Sequence, residues 1–89
     1  MVESEVKIVN RLGLHARAAS KLVHLASGFG ADIRILSSGE DVDAKSMLGV
    51  LLLAAAQGTQ VLIRCEGRDE NEALIALVGL IADRFGEGE

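Results

Sequence analysis

The chain has 89 residues, 49% of them hydrophobic and 25% charged, with two aromatic side chains and a net charge of −4. That balance suits one globular domain over residues 1–89 and excludes both a disordered chain and a core wide enough to enclose a large ligand. Nine Lys and Arg against thirteen Asp and Glu argue against a nucleic-acid surface, and the apolar run Val50 to Ala56 is too short for membrane insertion.

Glu5-Val6-Lys7-Ile8-Val9 alternates, with Val6 and Ile8 on one face, as a half-buried strand does. Asn10 to Leu14 then reads as a loop delivering His15 to an Ala-rich helical pattern. Ala16, Ala19, Leu22, Val23 and Ala26 form its apolar stripe, Arg17, Lys21 and His24 lie on the far side, and Gly28 is the stop. Ala31 to Leu36 and Asp41 to Ala44 predict a hairpin around Ser37-Ser38-Gly39-Glu40, where Asp41 and Asp43 keep an edge strand soluble.

Ser46 stands as the N-cap of a second helix that runs up to Gln57-Gly58-Thr59 and has almost no polar residue in its first two turns. Val50, Leu53 and Ala54 are assigned to the core, and Met47, Leu48, Leu51 and Leu52 to a partly exposed docking surface. Gln60 to Glu66 predicts a fourth strand, with Val61, Ile63 and Cys65 inward. Cys65, the single cysteine, excludes an intrachain disulfide framework and suits a reducing cytoplasm, and no secretory signal is recognised at the start of the chain. Asp69 with Glu72 reads as an N-cap and its acidic third position. Leu74, Leu77, Val78, Ile81 and Phe85 trace one row of a last helix ending at Gly86, with Glu87-Gly88-Glu89 as a frayed tail. The order β-α-β-β-α-β-α predicts a two-layer α+β domain with helices on one face of a sheet, and leaves strand order open.

The chemistry concentrates at His15 and Arg17. A helix start offers unpaired amides and the positive end of the helix dipole, a setting that favours an anion, and Arg17 adds a planar donor fork suited to phosphate. An imidazole there can accept a phosphoryl group; the plainer alternative is that His15 only caps the helix. His24 reads as a solvated surface residue. His15, His24 and Cys65 lack the spacing of a zinc site, and no metal or cofactor is expected.

Gly13-Leu14-His15-Ala16-Arg17 resembles the active-site segment of the HPr family, the histidine-containing phosphocarriers of the bacterial phosphoenolpyruvate-dependent sugar phosphotransferase system. Ala44-Lys45-Ser46-Met47-Leu48-Gly49 resembles that family's regulatory-serine segment, so the likeness spans nearly the whole chain. Two positions depart from it: Ala18 replaces the usual proline, and Gly49 a frequent basic residue. The resemblance implies an antiparallel four-stranded sheet covered by three helices, an open-faced sandwich. It implies a carrier and not an enzyme, a cytoplasmic monomer that takes a phosphoryl group from Enzyme I on Nδ1 of His15 and yields it to EIIA domains. The backbone amides of Ala16 and Arg17 and the Arg17 side chain would hold the phosphoryl oxygens. Ser20 and His24 would join Met47, Leu48, Leu51 and Leu52 as partner contacts, and Ser46 would be the target of an HPr serine kinase/phosphatase. Two alternatives stay open: a carrier of a nitrogen-related regulatory branch, and a small acyl-phosphate hydrolase using Arg17.

Overall fold

The computed structural model describes residues 1–88, in the order β1 (Val2–Lys7), α1 (Ala16–Ser27), β2 (Asp32–Ser37), β3 (Glu40–Asp43), α2 (Met47–Leu52), β4 (Gln60–Glu66) and α3 (Glu70–Ala82), followed by a single 3-10 turn, Arg84–Gly86. The four strands form one antiparallel sheet ordered β1-β4-β2-β3. Alternation decides its faces: Val61, Ile63 and Cys65 of β4 and Ile33 and Ile35 of β2 are buried beneath the helices. On the other face Arg34 and Arg64 stand directly opposite one another, a pairing that would repel. Each has its own carboxylate, Asp41 at 3.0 Å for Arg34 and Glu3 at 2.9 Å for Arg64. The expected open-faced α+β sandwich is the fold observed, and Cys65 is a core residue as expected.

Local expectations shift in physically explicable ways. β1 ends at Lys7 and begins already at Val2, because Val2, Ser4 and Val6 share the half-buried face and the small Ser4 breaks the apolar pattern without breaking pairing. The hairpin strands slide by one residue, to Asp32–Ser37 and Glu40–Asp43, around Ser38 and Gly39, both at positive φ. In α1, Ala18 is buried and Ala16 exposed, which moves the apolar stripe round by part of a turn. α2 closes at Leu52, well short of Gln57, and Ala54 is exposed at φ +49 while Ala55 takes the core position. Asp69 precedes α3 without capping it: its carboxylate accepts instead from the amides of Gly30 (2.9 Å) and Ala31 (2.8 Å), tying two loops together.

The largest departure is at the end of the chain. α3 stops at Ala82, and Arg84 (φ +56) and Phe85 (φ +54) both adopt left-handed backbone. That conformation costs about 1–2 kcal/mol per non-glycine residue. Complete burial of the Phe85 ring, worth about 1.5–3 kcal/mol, offsets much of it. Lys21 Nζ on α1 donates to the Phe85 carbonyl at 2.7 Å and fixes the reversal. Glu87 is therefore not frayed but turned back against the loop after β1; Glu89 lies outside the described residues.

Candidate functional site

The loop that carries His15 is clamped at both ends. The Ile8 amide donates to the Thr59 carbonyl (2.9 Å), the Gly58 amide to the Ile8 carbonyl (2.7 Å), and the Leu14 amide to the Ala55 carbonyl (2.8 Å). Gly13 sits at φ +67 with its α-carbon pressed on residues 55 and 56; a β-carbon there would lie 2.5 Å from the Ala55 oxygen. Asn10 is fully buried, and its Nδ2 donates both to the Gly13 carbonyl (2.8 Å) and to Glu87 Oε1 (2.9 Å). One amide thus braces the loop from within and ties it to the returned C-terminal segment.

His15 occupies the N-cap of α1 with extended backbone, and its side chain makes no capping bond. The first helical bond runs from the Ala19 amide to the His15 carbonyl (2.8 Å), so the amides of Ala16, Arg17 and Ala18 precede the helical ladder. Ala18, unlike a proline, carries an N–H, so it adds a third donor to that set. The half-buried imidazole bonds through Nε2 to Glu87 Oε2, and among the described residues Nδ1 has no partner. Burial pushes the Glu87 carboxyl up, but hydrogen bonds from Asn10 and His15, with the charges of His15 and Arg17, outweigh it and hold the group below its ordinary value.

Arg17 is exposed on the first turn of α1, with no ion pair among the described residues. It lines a shallow basin with Arg11, Leu12, Lys21, Gly86 and Glu87. Among the described residues lining it, Arg11, Arg17 and Lys21 stand with the carboxylate of Glu87, a local concentration of cations on an acidic chain that suits an anion. Lys21, Leu12, Asn10 and Glu87 were not singled out by sequence reasoning. Leu12, 57% exposed, was legible as an apolar residue stranded in a polar loop.

Away from the basin, Ser46 is the N-cap expected of it, its Oγ accepting from the Gly49 amide at 3.1 Å. Leu48 (70% exposed), Leu51 and Leu52 project outward, while Met47 packs half-buried against the core. α1 and α2 lie against one another, so exposed Ser20 and His24 sit on the helix adjoining those leucines. No described helix is long and apolar enough to cross a membrane, and no group of three or more His, Cys, Asp or Glu among the described residues could hold a metal ion.

A sandwich of this topology, with an uncapped histidine at the start of its first helix and a basic basin beside it, has the design of the histidine phosphocarriers. The chain belongs to the HPr family: the family model for the PTS HPr component phosphorylation site matches residues 2–83. The phosphocarrier protein HPr of Cupriavidus necator is 49% identical over 89 residues, covering 100% of both chains. Phosphocarrier protein NPr of Shewanella violacea is 42% identical over 86 residues, covering 97% of this chain and 94% of its own. The crystal structure of an HPr from Thermoanaerobacter tengcongensis superposes with a TM-score of 0.95 at 44% identity, covering 98% of each chain. Proteins of this family are carriers within the phosphotransferase system and not catalysts in their own right.

Proposed function

We propose that this single domain carries phosphoryl groups on His15, taking them from phosphorylated Enzyme I and passing them to sugar-specific EIIA domains in the cytoplasm. The observation that carries the proposal is the ring itself: it stands uncapped at a helix start, with Nε2 engaged, Nδ1 unbonded and Arg17 unpaired among the described residues. In the transfer step the Nδ1 lone pair forms a bond to phosphorus as the donor's bond to phosphorus breaks and its electron pair returns to the donor. The ring keeps its Nε2 proton and becomes cationic. The amides of Ala16 and Arg17, joined by that of Ala18, and the Arg17 guanidinium face the charge on the phosphoryl oxygens. A basin open to solvent holds the group loosely enough to give it up again.

The test is incubation with purified Enzyme I and phosphoenolpyruvate, followed by mass spectrometry under mildly basic conditions, which preserve phosphohistidine. A single adduct on His15 is expected; a label on His24, or none, would overturn the assignment. A nitrogen-related regulatory branch is the second reading, favoured by the likeness to an NPr. It uses the same residues, so comparing phosphorylation rates with the two types of Enzyme I separates the branches.

Docking is assigned to Leu48, Leu51 and Leu52 with Met47, Ser20 and His24. Leu48→Asp should leave the melting temperature nearly unchanged, since an exposed substitution shifts stability by about 0.5 kcal/mol or less. Binding to Enzyme I, read by titration calorimetry, should weaken about fivefold or more, on the order of 1 kcal/mol. A collapse in stability would place Leu48 in the core instead.

Ser46 carries the regulatory part of the proposal, as the residue a serine kinase would modify. Its hydroxyl caps α2, so Ser46→Ala should cost about 1 kcal/mol in thermal unfolding and leave the rate of His15 phosphorylation alone. Ser46→Asp keeps a capping oxygen but sets a negative charge beside the exposed leucines, and should slow that rate. Matching rates in all three proteins would leave Ser46 a helix cap only.

A further inference from the structure

We infer that Glu87 is a positioning residue for His15: it fixes the imidazole as the Nε2–H tautomer and compensates the charge the ring acquires on phosphorylation. This rests on His15 as the phosphoryl acceptor. Both oxygens of the carboxylate are used, Oε1 by Asn10 Nδ2 at 2.9 Å and Oε2 by His15 Nε2. An ionised carboxylate can only accept, so the ring nitrogen facing it must carry the hydrogen. The neutral imidazole then has its lone pair on Nδ1, the nitrogen with no partner among the described residues. Tautomer and nucleophile are thereby assigned by one contact.

The same contact acts during transfer. When the Nδ1–phosphorus bond forms, the ring gains a positive charge while its Nε2 proton stays in place. Glu87 Oε2 already faces that nitrogen, so no reorganisation is needed to meet the new charge. On the return step the cationic ring is the better leaving group, and the carboxylate keeps the proton where that requires it. The cost is a negative charge near the incoming phosphoryl group; Arg11, Arg17 and Lys21 around the same basin counter it.

Glu87 is built into this place and does not wander to it. The left-handed residues Arg84 and Phe85 reverse the chain, the buried Phe85 ring anchors the reversal, and the Lys21 bond to the Phe85 carbonyl (2.7 Å) closes it. The Glu87 amide donates to the Arg84 carbonyl at 2.9 Å, and Asn10 reaches the carboxylate from the loop that carries His15. A tail that served only to end α3 would have no need of two non-glycine residues at positive φ.

The test uses the whole chain as wild type, Glu87→Gln and Glu87→Asp. Nitrogen-15 shifts of the His15 ring, recorded above its titration, should show the Nε2–H tautomer alone in wild type. Glu87→Gln should show a mixture, because the amide can also donate to Nε2. The initial rate of phosphorylation by Enzyme I should fall about ten- to hundredfold in Glu87→Gln, the scale of one lost charge-assisted hydrogen bond. Glu87→Asp should restore part of both readouts, and thermal unfolding should agree among the three. Unchanged tautomer populations or unchanged rates in Glu87→Gln, with the label still on His15, would overturn the positioning role alone. A label mapping away from His15 would overturn the acceptor assignment and this inference with it.

Discussion

Replacing His15 with alanine should reduce phosphoryl uptake to background while the domain still folds and melts within a few degrees of wild type. The loss of function is expected to be total because the proposed nucleophile itself is removed. The other histidine, His24, lies exposed further along α1 and is not among the residues lining the basin. The fold should be spared because the side chain does little for it: His15 caps α1 with its backbone, and its carbonyl still accepts from the Ala19 amide at 2.8 Å after the substitution. Glu87 loses one partner but keeps Asn10, and the Phe85 anchor and Lys21 bond of the returned segment are untouched. A stability change under about 1 kcal/mol corresponds to less than about 4–8 °C in a domain this size. Radiolabel uptake and a calorimetric scan on the same preparation check both halves. Wild-type levels of label, or a collapse in melting temperature, would each contradict the separation of site from scaffold.

That separation explains which parts of the molecule were legible in the sequence. The strand rows and helix faces follow from local period, and the burial of Ile33, Ile35, Val61, Ile63 and Leu77 agrees with it. The His15 position was legible because loop composition gives way to an Ala-rich helical pattern at that residue. What local pattern could not show were bonds between distant segments. Asn10 and Glu87 are 77 positions apart, and nothing in either neighbourhood announces the other. Phe85 was placed on the last helix because it continues the apolar row from Ile81. A left-handed turn puts the same ring into the same core, so the pattern was right about burial and wrong about backbone. Asp69 misled for a related reason. Asp three residues before Glu has the form of a capping box, but the amides of Gly30 and Ala31 compete for the same carboxylate and win. In α2 the row of leucines suggested a longer helix, whereas six residues suffice to present Leu48, Leu51 and Leu52 at the surface.

Gly13→Ala should do the opposite of His15→Ala and damage the scaffold first. At φ +67 an alanine is strained by about 1–2 kcal/mol before any contact is considered. Its β-carbon would then meet the Ala55 carbonyl oxygen at 2.5 Å and the Ala56 α-carbon at 2.9 Å. Both are backbone atoms, so no side-chain rotation relieves the clash. The two chain segments must separate, which typically costs about 1–3 kcal/mol for overpacking. Separation also stretches the bond from the Leu14 amide to the Ala55 carbonyl, now 2.8 Å, beside a nearly buried leucine. The sum is on the order of 3–5 kcal/mol, a large share of the stability of a small domain. Gly39→Ala is the control: Gly39 is at φ +83, but nothing lies within 4 Å of its would-be β-carbon. It should show the conformational cost alone, about 1–2 kcal/mol. Urea unfolding of the two variants measures the difference, and equal losses would mean that the close approach of the two loops contributes nothing. In whatever fraction of Gly13→Ala still folds, phosphoryl uptake should also be slower than in Gly39→Ala. The Gly13 carbonyl accepts from Asn10 Nδ2, and moving it disturbs the amide that holds Glu87 against His15.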